Sequence, residues 1–417
     1  MSLDPSLLDA VRERFLHVDE CPFEGPRVFF ENAGGGLHLK SVAETSALYA
    51  GYPDNQDRDN AASRALMAAI EKGRGDMRTF FNAPDGQVFV GESGTEVLFR
   101  LIRTAVLGAA DGGVILSSTL EHPASRSAAT RWAGVTARPH VLVPHDDATG
   151  TVSLDAYRAH LTPDIRVATI VYTSPVTGMA VDVPAVAAAI REASPDCFII
   201  VDGIQHACHG QVDLAALPID GFAVSPYKMF SRHGYGVGWA SDRLTALPKD
   251  GIVGGPPTRW ELGTRDAGSY ATFSDVVDYF DWLGSNLTQD TGRRARIEAA
   301  GHAIHEHEKA LTAAMLHGTG NLRGLAEMPG ITLIGGDGND MREGVVSLVS
   351  DKMDPVALAA FLRERGIRTH TRKADHYSGN ILQPLGLPSC LRISICHYNT
   401  LAEVARLLTA MEEAVAS

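Results

Sequence analysis

The spacing of apolar positions changes character twice along the chain. Between about Phe80 and Ala240, short apolar runs alternate with helix-like stretches. Gln87 to Val90, Gly113 to Leu116, Arg166 to Tyr172, Cys197 to Val201 and Gly221 to Ser225 read as strands, and Ala-rich segments such as Val183 to Ala193 carry the helical period. Apolar runs separated by helices are the pattern of βαβ units in a parallel sheet covered on both faces. From Phe273 to Leu316 an Ala-rich, charge-mixed stretch predicts one long helical region. Beyond Asn321, strands at Gly330 to Leu333, Glu343 to Val349 and Arg392 to Cys396, with helices at Pro355 to Arg365 and Leu401 to Val415, predict a smaller α+β unit.

Composition narrows the classes. With 417 residues, 45% hydrophobic and 21% charged, the chain has material for a sizeable core. Its net charge of -13, with no run of Lys and Arg among aromatics, argues against nucleic acid and against acidic membrane surfaces as partners. Its apolar runs fall far short of the ~20 residues that cross a bilayer, and no secretory leader is recognisable, so a cytoplasmic protein is expected.

The five cysteines, Cys21, Cys197, Cys208, Cys390 and Cys396, lack CxxC spacing and are expected to pack as small hydrophobes without disulfides. No metal is expected. His206 and His209 flank an aspartate-bearing strand end, and His302, His305 and His307 read as the solvated face of a charged helix.

The segment CFIIVDGIQHACHGQVDLAALPIDGFAVSPYK, Cys197 to Lys228, concentrates the chemistry. One buried strand delivers Asp202 and Gln205 at its carboxyl end, and a second delivers Ser225 and Lys228. In an open α/β sheet the carboxyl ends of strands border the ligand crevice, so the acid and the amine can share a pocket. A lysine among apolar groups has a lowered pKa and can form a Schiff base, and an aspartate beside it can keep a pyridine nitrogen protonated. Taken singly, Asp202 is a common strand-exit residue before Gly203 and Lys228 a lysine after a strand. Only their joint spacing is specific.

From FFENAGGG at Phe29 to CHYNT at Cys396 the chain resembles the pyridoxal-phosphate enzymes of the class V aminotransferase and cysteine desulfurase group, with SPYKMFSRHGYGVGW and WELGTRDAGSY closest to its desulfurase-like members. The resemblance implies an α/β fold of the aspartate-aminotransferase type: a large domain with a mainly parallel seven-stranded sheet and a smaller α+β C-terminal domain. It implies an N-terminal arm over residues 1–25, the cofactor domain over 26–270, connecting helices over 271–320 and the small domain over 321–417.

The resemblance also implies roles. Lys228 would carry pyridoxal 5'-phosphate as a Schiff base, Asp202 would pair with the pyridine nitrogen, Gln205 would contact the ring oxygen and His122 would stack on the ring. Gly94 and Thr95, at a helix start in VGESGTEVLF, would hold the phosphate together with Ser225; the turn is otherwise plain helix capping. Arg392, set opposite Leu391, Ile393 and Ile395 by strand alternation, would hold a substrate α-carboxylate, with Asn32 and Ala33 of the Gly-rich NAGGG turn near the substrate. Thr264, beside Gly263, would reach a partner's cofactor phosphate, which implies a homodimer.

Two departures bear on the reaction. Desulfurases of this group carry a nucleophilic cysteine on a loop about 15 residues before the carboxylate-binding arginine, whereas HTRKADHYSGN, His370 to Asn380, has no thiol. Cys390 lies too close to Arg392 along the strand to serve as a mobile carrier. Pro175 stands where relatives place an asparagine, and Tyr227 where histidine often precedes the lysine. An amino acid is therefore the expected substrate, by transamination or by C–S lyase chemistry without the loop cysteine. Epimerisation or racemisation on the same fold, or a non-enzymatic protein retaining it, are the alternatives.

Overall fold

The computed structural model describes residues 3–52 and 54–416. Its larger sheet has seven strands in the order Gln87–Gly91, Gly236–Ala240, Gly221–Val224, Phe198–Asp202, Ile165–Val171, Val114–Ser118 and His140–Val143. All neighbours run parallel except Gly236–Ala240, which is antiparallel to both of its flanking strands. Every residue of Phe198–Asp202, Gly221–Val224 and Gly236–Ala240 is buried, as expected of strands covered on both faces.

The five strands read from apolar runs are all present. Two more were not legible. His140–Val143 is a half-exposed edge strand, and Gly236–Ala240 holds two glycines in five residues, a composition that strands usually avoid. Packing explains the glycines: a Cβ on Gly238 would stand 2.6 Å from the Phe89 ring.

The predicted single helix over Phe273 to Leu316 is two helices, Ala267–Ser285 and Arg293–His317. Between them short polar side chains capture the backbone: Thr288 Oγ1 accepts from the Asp290 amide at 3.1 Å, and Asp290 Oδ1 accepts from the Gly292 amide at 2.7 Å. Such local bonds compete with helix continuation.

The smaller sheet is antiparallel, in the order Ile331–Leu333, Val345–Ser350, Ser389–Ser394 and His370–Lys373, flanked by helices Pro355–Glu364 and Leu401–Ala416. It has its own apolar core, which includes Val28 and Phe30 from far upstream. Val28–Phe29 pairs in parallel with Ile367–Arg368, so the chain leaves this core directly into the turn Asn32–Gly34. Among the described residues no helix is long and apolar enough to cross a membrane.

Candidate active site

The carboxyl ends of Phe198–Asp202 and Gly221–Val224 open beside each other, and the residues that follow them meet. Lys228 ends the short 3-10 turn Pro226–Lys228, and its Nζ donates to Gln205 Oε1 at 2.9 Å. Asp202 is the last residue of its strand, and its Oδ1 accepts from the Ile204 amide at 3.0 Å. Lys228, Asp202 and Gln205 are all buried.

Burial sets their charges. It brings the Lys228 amine down to about 8, with the Arg392 charge acting in the same direction. It raises Asp202 to about 6, against the opposing effects of the Ile204 amide and the Lys228 charge. Near neutral pH the site therefore combines an amine that deprotonates readily with a mostly ionised carboxylate.

Helix Gly94–Gly108 points its N-terminus at the same place. Ser93 caps it by accepting from the Glu96 amide, so capping is assigned to Ser93, while Gly94 is buried and Thr95 is exposed. A Cβ on Gly94 would lie 2.3 Å from Ser225 Oγ and 2.6 Å from Ile204 Cδ1. Only glycine allows the helix start to approach Ser225 this closely. Backbone amides and a hydroxyl are thereby gathered at the positive end of a 15-residue helix.

His122 caps helix Pro123–Thr136, its Nδ1 accepting from the Ala124 amide at 3.2 Å. Burial, reinforced by Lys228, Arg372 and Arg126, brings the imidazole down to about 3, so the ring is neutral. Glu121 next to it is fully buried, and burial raises its carboxyl to about 8. Its Oε1 accepts from the Val171 amide at 2.9 Å and from Ser118 Oγ at 3.2 Å, while Oε2 has no partner.

Arg392 comes from the other sheet. Its Nη1 donates to the Pro175 carbonyl at 2.9 Å, its Nε is buried without a partner, and no carboxylate of the described residues pairs with it. A Cβ on Gly34 would lie 3.5 Å from Arg392 Nη2, and one on Gly36 would lie 3.3 Å from the Lys228 carbonyl, so the NAGGG turn spans from the arginine to the lysine. Asn32 and Ala33 hold that turn in place. Asn32 Nδ2 donates to the Ser394 carbonyl at 2.8 Å, Tyr398 donates to Asn32 Oδ1, and the Ala33 amide donates to Ser394 Oγ at 2.9 Å.

Lys228, Asp202, Gln205, Ser225, Gly94, His122 and Arg392 thus form one cluster, with Asn32 and Ala33 holding the turn beside it. Thr264 is not in this cluster; it lies on an exposed loop whose neighbour Arg265 pairs with Glu92, two residues before Gly94. Sequence reasoning missed Glu121 and Arg372. Arg372 lies on the edge strand His370–Lys373, and its charge reaches His122, Lys228 and Arg392. Polar HTRK gives no strand signal, so nothing in the sequence turned this arginine toward the pocket.

All five cysteines are buried and unbridged. Cys390 packs inside Ser389–Ser394, where burial raises its thiol to about 11. Tyr377 occupies the loop near His122, with ring centroids 6.3 Å apart.

A buried amine and acid at adjacent strand ends, a glycine-opened helix N-terminus and an arginine without a carboxylate partner thus lie together. The chain belongs to the aminotransferase class-V family, which it matches over residues 28–407. It is 24% identical over 429 residues to a probable cysteine desulfurase of Vibrio cholerae serotype O1, covering 98% of both chains. It is 28% identical over 366 residues to probable cysteine desulfurase 2 of Mycobacterium leprae, covering 83% of this chain and 81% of that one. In fold it is similar to the apo cysteine desulfurase of Thermococcus onnurineus NA1, with a TM-score of 0.82, 20% identity and full coverage of both chains. The cysteine desulfurase CsdA of Escherichia coli gives 0.78 at 22% identity over 98% of each chain.

Proposed function

We propose that this chain uses pyridoxal 5'-phosphate to break the C–S bond of a cysteine-type amino acid by β-elimination, without a persulfide-carrying thiol. The observation that carries the reading is the buried Lys228–Gln205 contact of 2.9 Å, with the charges of Asp202 and Arg392 both acting on the Lys228 amine.

The donor set fits the cofactor. Lys228 offers a buried amine, Asp202 a carboxylate for a pyridinium, Gly94, Thr95 and Ser225 amides and hydroxyls for a phosphate, and His122 a neutral ring to lie against the pyridine. Bound there, the cofactor supplies an aldehyde for the substrate amine and a ring that takes up the electron pair of the α-carbon. Arg392 holds the substrate α-carboxylate by paired hydrogen bonds and so orients the α-proton toward Lys228. Lys228, whose amine burial brings down to about 8, would accept that proton. The NAGGG turn closes the side between arginine and lysine.

The lyase reading draws on the C–S chemistry named for the relatives and on the burial of every thiol in this chain. A homodimer, with Thr264 of each chain serving the other's phosphate site, completes the proposal, and size-exclusion with light scattering tests it. For the reaction, purified holoenzyme is given a panel of amino acids including cysteine. Pyruvate, ammonia and sulfide in equal amounts support β-elimination. A keto acid that retains the side chain assigns transamination, an inverted amino acid assigns epimerisation, and alanine with a protein persulfide assigns desulfuration.

A further inference from the structure

Behind Gln205, away from Lys228, lies a second group of chemically active side chains that the reaction does not use. Cys208, His209 and Cys396 place ligand atoms within 4.8 Å of one another, and so do Glu308, Cys396 and His397. Cys396 belongs to both groups. These five residues are at most 2% exposed.

The hydrogen bonds do not exhaust this cluster. His209 Nδ1 meets Glu308 Oε2 at 2.7 Å and its Nε2 meets Gln205 Nε2 at 3.0 Å, but Glu308 Oε1 and His397 Nδ1 are buried without partners. Buried carboxylate oxygens and imidazole nitrogens almost always find a partner, because leaving one unmet forfeits its hydration with no return. The unmet Glu308 oxygen stands beside thiols and an imidazole, a group of donors open to a cation.

We propose that Cys208, Cys396, His209 and Glu308 form a structural site for a tetrahedral divalent metal, with zinc as its occupant. Two sulfurs, an imidazole and one carboxylate are a donor set that favours zinc over calcium or magnesium, which take oxygen ligands. Zinc–sulfur bonds of about 2.3 Å and zinc–nitrogen bonds of about 2.0 Å put ligands roughly 3.3–3.8 Å apart, so ligand atoms up to 4.8 Å apart within each trio would close by roughly 1–1.5 Å. The balance is simple: the two thiols lose their protons, two metal–sulfur bonds form, and two protons leave to solvent. Burial means the ion enters as the chain folds.

The ligands join three distant segments. Cys208 and His209 follow the Asp202 strand, Glu308 lies on helix Arg293–His317, and Cys396 follows the Arg392 strand. The ion would therefore tie the lysine-bearing sheet to the arginine-bearing one. Metal on His209 Nδ1 leaves the imidazole proton on Nε2, so the Gln205 oxygen must turn toward it; the Lys228–Gln205 bond is then given up, and in the holoenzyme the Gln205 NH2 would face the ring oxygen of the cofactor instead.

The site also explains why the sequence concealed it. His307 was read with a solvated helix face, yet it and its neighbour Glu308 are buried, and His307 Nε2 meets the Asn399 carbonyl at 3.1 Å.

The test is metal analysis of purified holoenzyme, followed by growth on cobalt. Zinc near one per chain, lost at least tenfold in Cys208→Ser and Cys396→Ser but kept in Cys390→Ser, is expected. The cobalt protein should show thiolate d–d bands well to the red of the cofactor absorbance. If the serine variants do not fold, the wild-type zinc content and the cobalt bands decide the matter alone. Wild type that holds no zinc after refolding with it, shows no cobalt–thiolate bands, or carries a Cys208–Cys396 disulfide overturns the proposal. Because none of these readouts is activity, they stand apart from the lyase assignment.

Discussion

Arg392 Nη1 donates to the Pro175 carbonyl at 2.9 Å, so Pro175, which has no side-chain amide to offer, holds the arginine through its backbone. This contact fixes one edge of the guanidinium and leaves Nε buried without a partner. An incoming carboxylate meets a group that is already oriented and desolvated. Losing charge-assisted hydrogen bonds of about 1.5–3 kcal/mol, Arg392→Ala should raise KM for amino acids roughly 10- to 100-fold while the cofactor spectrum is retained. Steady-state kinetics with absorbance spectra check this; an unchanged KM removes the arginine from substrate binding.

Asp202→Ala should leave Lys228 able to take the cofactor but remove the charge behind the ring. Proton abstraction should slow by about a hundredfold or more, read as loss of solvent deuterium exchange at the substrate α-carbon. A variant with wild-type exchange would show that the carboxylate has no electronic role.

Cys390→Ser should keep its activity within about twofold, since the thiol is buried in a strand and burial holds it protonated, with a pKa near 11. Activity lost with cofactor still bound, together with a persulfide on Cys390 in wild type given cysteine, would assign sulfur transfer to it.

Much of this site was legible because strand ends are local. Asp202 and Lys228 each sit at or just beyond an apolar run that the sequence displays, and the parallel order of those runs puts them side by side. The antiparallel strand Gly236–Ala240 was hidden by its glycines, which respond to Phe89 and to the backbone at Ser93, contacts that no local pattern records. Arg372 was hidden by a polar edge strand, and the helix break at Asn286 to Gly292 by side-chain bonds to backbone. Glu121 stood in plain view beside His122, but only burial gives it a distinctive chemistry.

That burial yields a pH prediction. Glu121 is raised to about 8 in the folded protein, above its ordinary value of 4.5, so the folded state binds more protons than the unfolded one between these pH values. Its contribution to stability is therefore fully present below the unfolded value and is lost as pH rises toward 8. Glu121→Gln, which keeps an oxygen for the Val171 amide, should flatten the fall in Tm between about pH 4.5 and about pH 8. Parallel Tm slopes in wild type and variant would place the titration elsewhere.

The most direct measurement is borohydride reduction of the purified yellow holoenzyme, followed by digestion and peptide mass mapping. The pocket built on Lys228, Asp202 and Gln205 predicts a single phosphopyridoxyl adduct on Lys228, absent from Lys228→Ala. An adduct on any other lysine, or none in protein that retains the cofactor, would contradict it.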